Sequence, residues 1–140
     1  MASLKLADDR MCVGCGEKNP RGLKLSFEVD VKQRRIRTRW IPTKESQGYA
    51  DIVHGGMIGL VLDELMGNLL WKIGHPSVSA ELTVRFRRPA PVGEPIDCEA
   101  WIASEDSTRS RKRFTLEAAA YGAGHRLLTE ASGLYVEIRD

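Results

Sequence analysis

The sequence has no apolar run long enough to cross a bilayer, which argues against a helical membrane protein. Its first residues, MASLKLADDRM, lack the apolar stretch and small-residue cleavage site of a secretory signal, so the cytoplasm is expected by default. Cysteines are few. Three of them, Cys12, Cys15 and Cys98, would leave one over, which argues against a disulfide framework. A strong excess of one charge is missing as well. With 21 basic and 19 acidic side chains the net charge is +2, short of the basic excess that marks a nucleic-acid binder. There are no repeats, low-complexity segments or linkers. The expectation is therefore one domain over residues 1–140, with a single sizeable core.

What is present reads as strands around one helix. Residues 11–22, MCVGCGEKNPRG, carry turn-formers and a Cys-x-x-Cys pair and read as a structured loop within an N-terminal segment, 1–22. From Leu23 to Val31 apolar and polar residues alternate, which predicts a strand with one wet face. RRIRTRWI over 34–41 alternates again, and the short Lys32-Gln33 join predicts a hairpin. From His54 to about Ile73 the period becomes helical, and Gly74 followed by Pro76 stops it. Four more alternating stretches follow, Val78–Arg87, Ile96–Ser104, Arg111–Tyr121 and Arg126–Ile138. Hairpin order favours an antiparallel sheet covering the helix, an α+β domain.

The helix carries the chemistry. Most positions from Met57 to Ile73 are apolar, so one sheet face is expected to cover only part of it and a second subunit the rest. Its exceptions form two stripes at i, i+4 spacing: Gly59, Asp63, Gly67 and Glu64, Asn68, Lys72. Glu64, in company with an amide and a lysine, reads as a solvated edge. Asp63 sits between glycines, each of which costs a helix roughly 1 kcal/mol relative to Ala. Such a stripe points to close approach by a facing helix or a substrate, against the blander reading of a helix contact with Asp63 bonded to backbone.

His54-Gly55-Gly56 opens the helix, where the first N–H groups have no intrahelical partner and can hold an anion or oxyanion. Taken alone, the three residues read better as a turn that merely starts a helix. His54 and Asp63 lie nine residues apart, half a turn out of phase and separated by roughly 13 Å along the axis. They cannot converge on one small group. A site shared across a two-fold dimer answers that constraint.

HGGMIGLVLDE resembles the signature of the hotdog-fold acyl-CoA thioesterases of the 4-hydroxybenzoyl-CoA and phenylacetyl-CoA type. SAELTVRFRRPAPVGEPI resembles that family's third strand and following turn, and CVGCGEKNPRGLKL an N-terminal segment of one subgroup. The resemblance implies a hotdog fold, an antiparallel sheet of about six strands wrapped around one long central helix. It implies a homo-oligomer, dimer or tetramer, with sites at the dimer interface, and an acyl-CoA substrate hydrolysed to free CoA and a carboxylic acid. No nucleic acid, membrane or separate cofactor is expected, coenzyme A being part of substrate and product. The catalytic residues so implied are Asp63 as nucleophile or general base, Gly55 as the N–H that polarises the carbonyl, and His54 beside it. Gly56, Gln47, Asn68, Gly67 and Arg88 are the expected substrate-binding positions.

The chain departs from the pattern one turn after the acid, where some relatives hold the attacking water with Ser or Thr. Here Gly67 and Asn68 stand instead. Either Asn68 substitutes, or the water is held elsewhere, or Asp63 attacks directly. A hotdog dehydratase or hydratase and a non-catalytic acyl-CoA-binding module are the rival readings.

Most of the remaining arginines (Arg85, Arg87, Arg109, Arg111 and Arg113, with Lys112) are expected in cross-strand ion pairs with Glu81, Asp97, Glu99 and Glu117. Arg88, beside Pro89, is the candidate for a CoA phosphate. Cys12 and Cys15 have zinc-like spacing, but zinc takes four ligands and no second pair follows. A reduced structural loop is expected, with a metal shared across two subunits as the alternative, and no metal ligand is assigned.

Overall fold

The computed structural model describes residues 6–138, so residues 1–5 and 139–140 of the expected domain lie outside the described residues. The helix α1 spans Gly55–Lys72. Around it run the strands β1 (Glu28–Asp30), β2 (Arg35–Trp40), β3 (Ser77–Phe86), β4 (Ile96–Asp106), β5 (Arg113–Gly122) and β6 (Arg126–Glu137). They form one antiparallel six-stranded sheet in the order β1-β2-β4-β5-β6-β3. Among the described residues β3 lies at an edge and pairs with β6 alone. Register shifts at Ser79/Glu81, Ile102/Ser104 and Ala120/Tyr121 mark bulges, which bend strands and let the sheet curl around α1. Among the described residues no helix is long and apolar enough to cross a membrane.

Both ends of α1 are closed by its own neighbours. His54 caps the start with an extended backbone (φ −61°, ψ 131°), and its ring Nδ1 accepts the Gly56 N–H at 2.9 Å. At the far end Gly74 takes φ 93°, and the His75 N–H reaches the Leu70 carbonyl at 2.8 Å while Gly74 N–H reaches Trp71. That is a Schellman turn, with glycine at the one left-handed position it requires.

The core lies between α1 and the concave face. Val61, Leu62, Leu65, Met66, Leu69 and Leu70 are fully buried against Ile36, Ile96, Phe114 and Leu116. On β2 the predicted alternation holds, with Ile36, Thr38 and Trp40 inside and Arg37 and Arg39 outside. The single chain thus buries most of the apolar helix positions, with Met57 and Leu60 half-buried and Trp71 45% exposed, and leaves less for a second subunit to cover than one flat sheet face would. The reason is curvature: a flat sheet covers one face of a helix, a wrapped one covers most of its circumference.

The strand predicted over Leu23–Val31 is only three residues long. Lys24 has φ 53°, and the Leu23 and Leu25 N–H groups donate to the carbonyls of Val13 and Gly14. The segment is bonded to the cysteine loop, and Thr38 Oγ1 holds the Ser26 carbonyl at 2.6 Å, so alternation here records burial against a loop.

Candidate active site

The segment before α1 is pinned at several points. His54 N–H donates to the Ser46 carbonyl (2.8 Å), Val53 N–H to Ala90 (2.8 Å), and Asp51, at φ 61°, donates its N–H to Gln47 Oε1 (3.0 Å). Gln47 thus braces its own loop. With Gly56 N–H engaged by the His54 ring, the Gly55 N–H is the helix-start donor with no partner among the described residues. Phe86 of β3 lies over it: a Cβ on residue 55 would fall 2.9 Å from Phe86 Cζ. Only glycine fits under that ring without displacing it.

Asp63, eight residues on, is half-buried. Tyr135 of β6, 1 % exposed, donates its hydroxyl to Asp63 Oδ1 at 2.6 Å and lies 3.3 Å from the Asp63 carbonyl. Burial first, and the Asp63 hydrogen bond next, push the phenol far above its ordinary range, so it stays a neutral donor. The tyrosine ring packs over Gly133, where a Cβ would fall 2.6 Å from Cε2, and faces Gly67 one turn beyond Asp63. Gly59 faces Val84 of β3. The Gly59–Asp63–Gly67 stripe therefore meets side chains of the chain's own sheet. Sequence reading did not single out Tyr135, and a tyrosine on the inner face of a terminal strand carries no local mark of what it will touch.

Glu64 is not a solvated edge. The cysteine loop covers it: Cys12 Sγ donates to Glu64 Oε1 at 3.1 Å, and a Cβ on Gly14 would collide with Glu64 Cγ. Asn68 Nδ2 donates to Glu64 Oε2 (3.0 Å) and to the Glu64 carbonyl (2.8 Å), so Asn68 is tied to Glu64. Asp63, Glu64, Gly67, Asn68 and Tyr135 line a cavity of about 530 Å³ together with Cys12 and Cys15. A larger groove of about 660 Å³ passes Arg37, Asp97, Tyr121 and His125 and contains no residue of α1. The carboxylate and the buried phenol both line the smaller cavity, which makes it the candidate site.

Arg88 is exposed and its guanidinium donates to the Leu127 carbonyl at 3.0 Å. The ion pairs expected of its neighbours have other partners: Arg87 pairs with Glu130, Lys112 with Glu105 and Arg109 with Asp106, while Asp97 and Glu99 take Arg39 and Arg35 of β2. Register sets the β2–β4 pairs, because Arg39 stands directly opposite Asp97, and Glu99, opposite Arg37, lies within 3.8 Å of Arg37 and 3.4 Å of its strand neighbour Arg35.

A six-stranded antiparallel sheet wrapped on one central helix is the hotdog fold. The sequence pattern of the thioesterase superfamily matches residues 50–127, and the chain belongs to that family. A crystal structure of a thioesterase superfamily protein superposes with a TM-score of 0.82 at 25% identity. The match covers 91% of this chain and 61% of that one, so this chain spans under two thirds of that relative's length. The PaaI protein of E. coli, from its phenylacetic acid degradation operon, is similar at TM-score 0.74 and 14% identity, covering 84% of this chain and 81% of that one. The smu.793 protein of Streptococcus mutans UA159, solved with acetyl CoA, is similar at TM-score 0.72 and 13% identity, covering 83% and 91%. No curated protein matches the sequence.

Proposed function

We propose that the protein is an acyl-CoA thioesterase, hydrolysing a thioester to a carboxylic acid and free CoA at sites built between two subunits. The observation that carries this reading is Asp63, held half-buried on the central helix by a neutral tyrosine and facing a cavity. The family and the acetyl CoA bound to the S. mutans relative support the substrate class.

In this reading the Gly55 N–H donates to the thioester carbonyl and strengthens that bond as the oxygen gains charge. Asp63 either attacks the carbonyl carbon or takes a proton from a water that does. The tetrahedral intermediate collapses and the C–S bond breaks; the CoA thiolate takes the proton that Asp63 removed from water or, if Asp63 attacked directly, a proton from solvent. If Asp63 attacks first, water then hydrolyses the acyl-carboxyl anhydride and restores the carboxylate. Tyr135 fixes one carboxylate oxygen and leaves the other to react. His54 holds the helix start in shape, Gly56 and Gly67 keep the walls low, and Arg88 meets a CoA phosphate at the rim. No cofactor is needed beyond the CoA of the substrate.

Gly55 and Asp63 of one chain are eight residues apart on α1, roughly 12 Å along the axis, too far to serve one carbonyl. The proposal therefore pairs Gly55 of one subunit with the carboxylate of another. Asp63→Asn is expected to fold and assemble normally and to lose roughly 10²–10⁴-fold in turnover, read as thiol release across short, medium, long and aromatic acyl-CoAs. Near-parental turnover on the best substrate would refute the mechanism. Water addition to an enoyl-CoA without thiol release would favour a hydratase, and binding without turnover a carrier.

A further inference from the structure

The cavity beside Asp63 has a second chemical component that the proposed hydrolysis does not use. Cys12, Cys15 and Glu64 each present one ligand atom, and the three atoms lie within 4.8 Å of one another. The cysteines come from the N-terminal loop and the carboxylate from the middle of α1, 52 residues from Cys12. We propose that these three side chains form a zinc site that ties the N-terminal loop to the central helix.

The loop is wound for it. Gly16 N–H donates to the Cys12 carbonyl at 2.8 Å, and a Cβ on Gly16 would fall 2.6 Å from the carbonyls of both Arg10 and Cys12. So tight a turn brings the Cys12 and Cys15 sulfurs together on the side facing α1. Gly14 is pressed onto Glu64 closely enough that any Cβ there would strike the glutamate side chain. Both glycines keep the backbone close while the two sulfurs and one carboxylate oxygen converge.

The donor set selects the ion. Two thiolates exclude magnesium and calcium, and a borderline-soft ion accepts sulfur and carboxylate oxygen together. Ligands about 2.0–2.3 Å from zinc in a tetrahedron stand roughly 3.5 Å from one another. The Cys12–Glu64 separation of 3.1 Å and the 4.8 Å limit on the set need only small side-chain movements to meet that spacing. All three residues line the cavity, which leaves room for water as the fourth ligand that zinc requires. Binding displaces the Cys12 thiol proton that now bridges to Glu64, and the thiol protons leave to solvent. Asn68, which donates to Glu64 Oε2, orients the carboxylate from behind.

The test uses the full chain, reduced and freed of metal under anaerobic conditions, titrated with cobalt(II) as the probe. One equivalent per chain is expected to produce thiolate-to-cobalt charge transfer and the strong visible bands of a four-coordinate ion, which zinc then abolishes. Cys12→Ser/Cys15→Ser should lose the charge transfer and Cys98→Ala should keep it. Glu64→Gln should keep the sulfur bands but weaken binding by more than the roughly 10–100-fold that loss of an outer-shell partner such as Asn68 costs. Zinc should also protect Cys12 and Cys15 from alkylation in the unmutated protein, mapped by mass spectrometry, a readout that needs no variant to fold. Absence of charge transfer, lack of protection, or a Cys12–Cys15 disulfide in protein isolated under reducing conditions would each overturn the site. None of these results depends on thioester hydrolysis, so the two proposals stand or fall separately.

Discussion

At the scale of single residues, Asp63 and Glu64 are chain neighbours with different surroundings. Roughly 100° of helix rotation sends one to Tyr135 and the other to Cys12. The i, i+4 stripes separate the two acids correctly but say nothing of what covers each. Tyr135→Phe keeps the ring and removes the 2.6 Å hydrogen bond to the carboxylate. A hydrogen bond to a charged group contributes about 1.5–3 kcal/mol, so the variant is expected to fold and to lose roughly 10–100-fold in kcat with KM little changed. Cys98 supplies a pH test. It is 2 % exposed, and burial pushes its thiol from 9.0 up to about 12. In the unfolded chain the thiol ionises near its ordinary value, whereas in the folded chain it does not. Its contribution to stability is therefore whole below about pH 9 and lost as pH rises toward 12. Thermal melts between pH 8 and 11 should show a smaller decline for Cys98→Ala than for the parent.

At the scale of elements, α1 is the part of the fold most legible in the sequence. Its period, its Gly74 stop and its His-Gly-Gly start each have a local cause, and its boundaries agree with expectation to within a residue or two. Over 23–31 the alternation yields a strand of only three residues, because alternation reports which side chains are covered and not what covers them. The helix start offers a direct test of the proposed oxyanion donor. Gly55 is the first helical residue, where proline is well tolerated, and His54 has the extended backbone that precedes a proline. Gly55→Pro removes the one N–H in question, with the exposed Phe86 ring free to move aside. It is expected to retain the circular dichroism of the parent and lose roughly 10²–10³-fold in kcat. Full activity with a native spectrum would remove Gly55 from the mechanism.

At the scale of the whole molecule, β3 leaves one edge of the sheet open among the described residues, with Leu82 41% and Phe86 56% exposed along it. An open edge with apolar side chains is a surface for strand pairing, consistent with the subunit-shared site proposed above. Mixing Asp63→Asn with Gly55→Pro chains tests the sharing. A heterodimer holds one site with an intact Gly55 and an intact Asp63 only if the two come from different chains. Random exchange of a dimer should then restore about a quarter of parental activity, whereas sites within one chain restore none. The sequence by itself determined the order of strands and helix, the two ends of α1 and the residue types that begin and centre it. Those are consequences of local backbone preference and of hydrophobic period, which act over a few residues. Only the tertiary structure decided that Tyr135 holds Asp63, that the cysteine loop closes over Glu64, and that one curved sheet buries most of the apolar side of the helix. Each of these joins residues more than fifty positions apart, or depends on the curvature of a sheet that no single strand encodes.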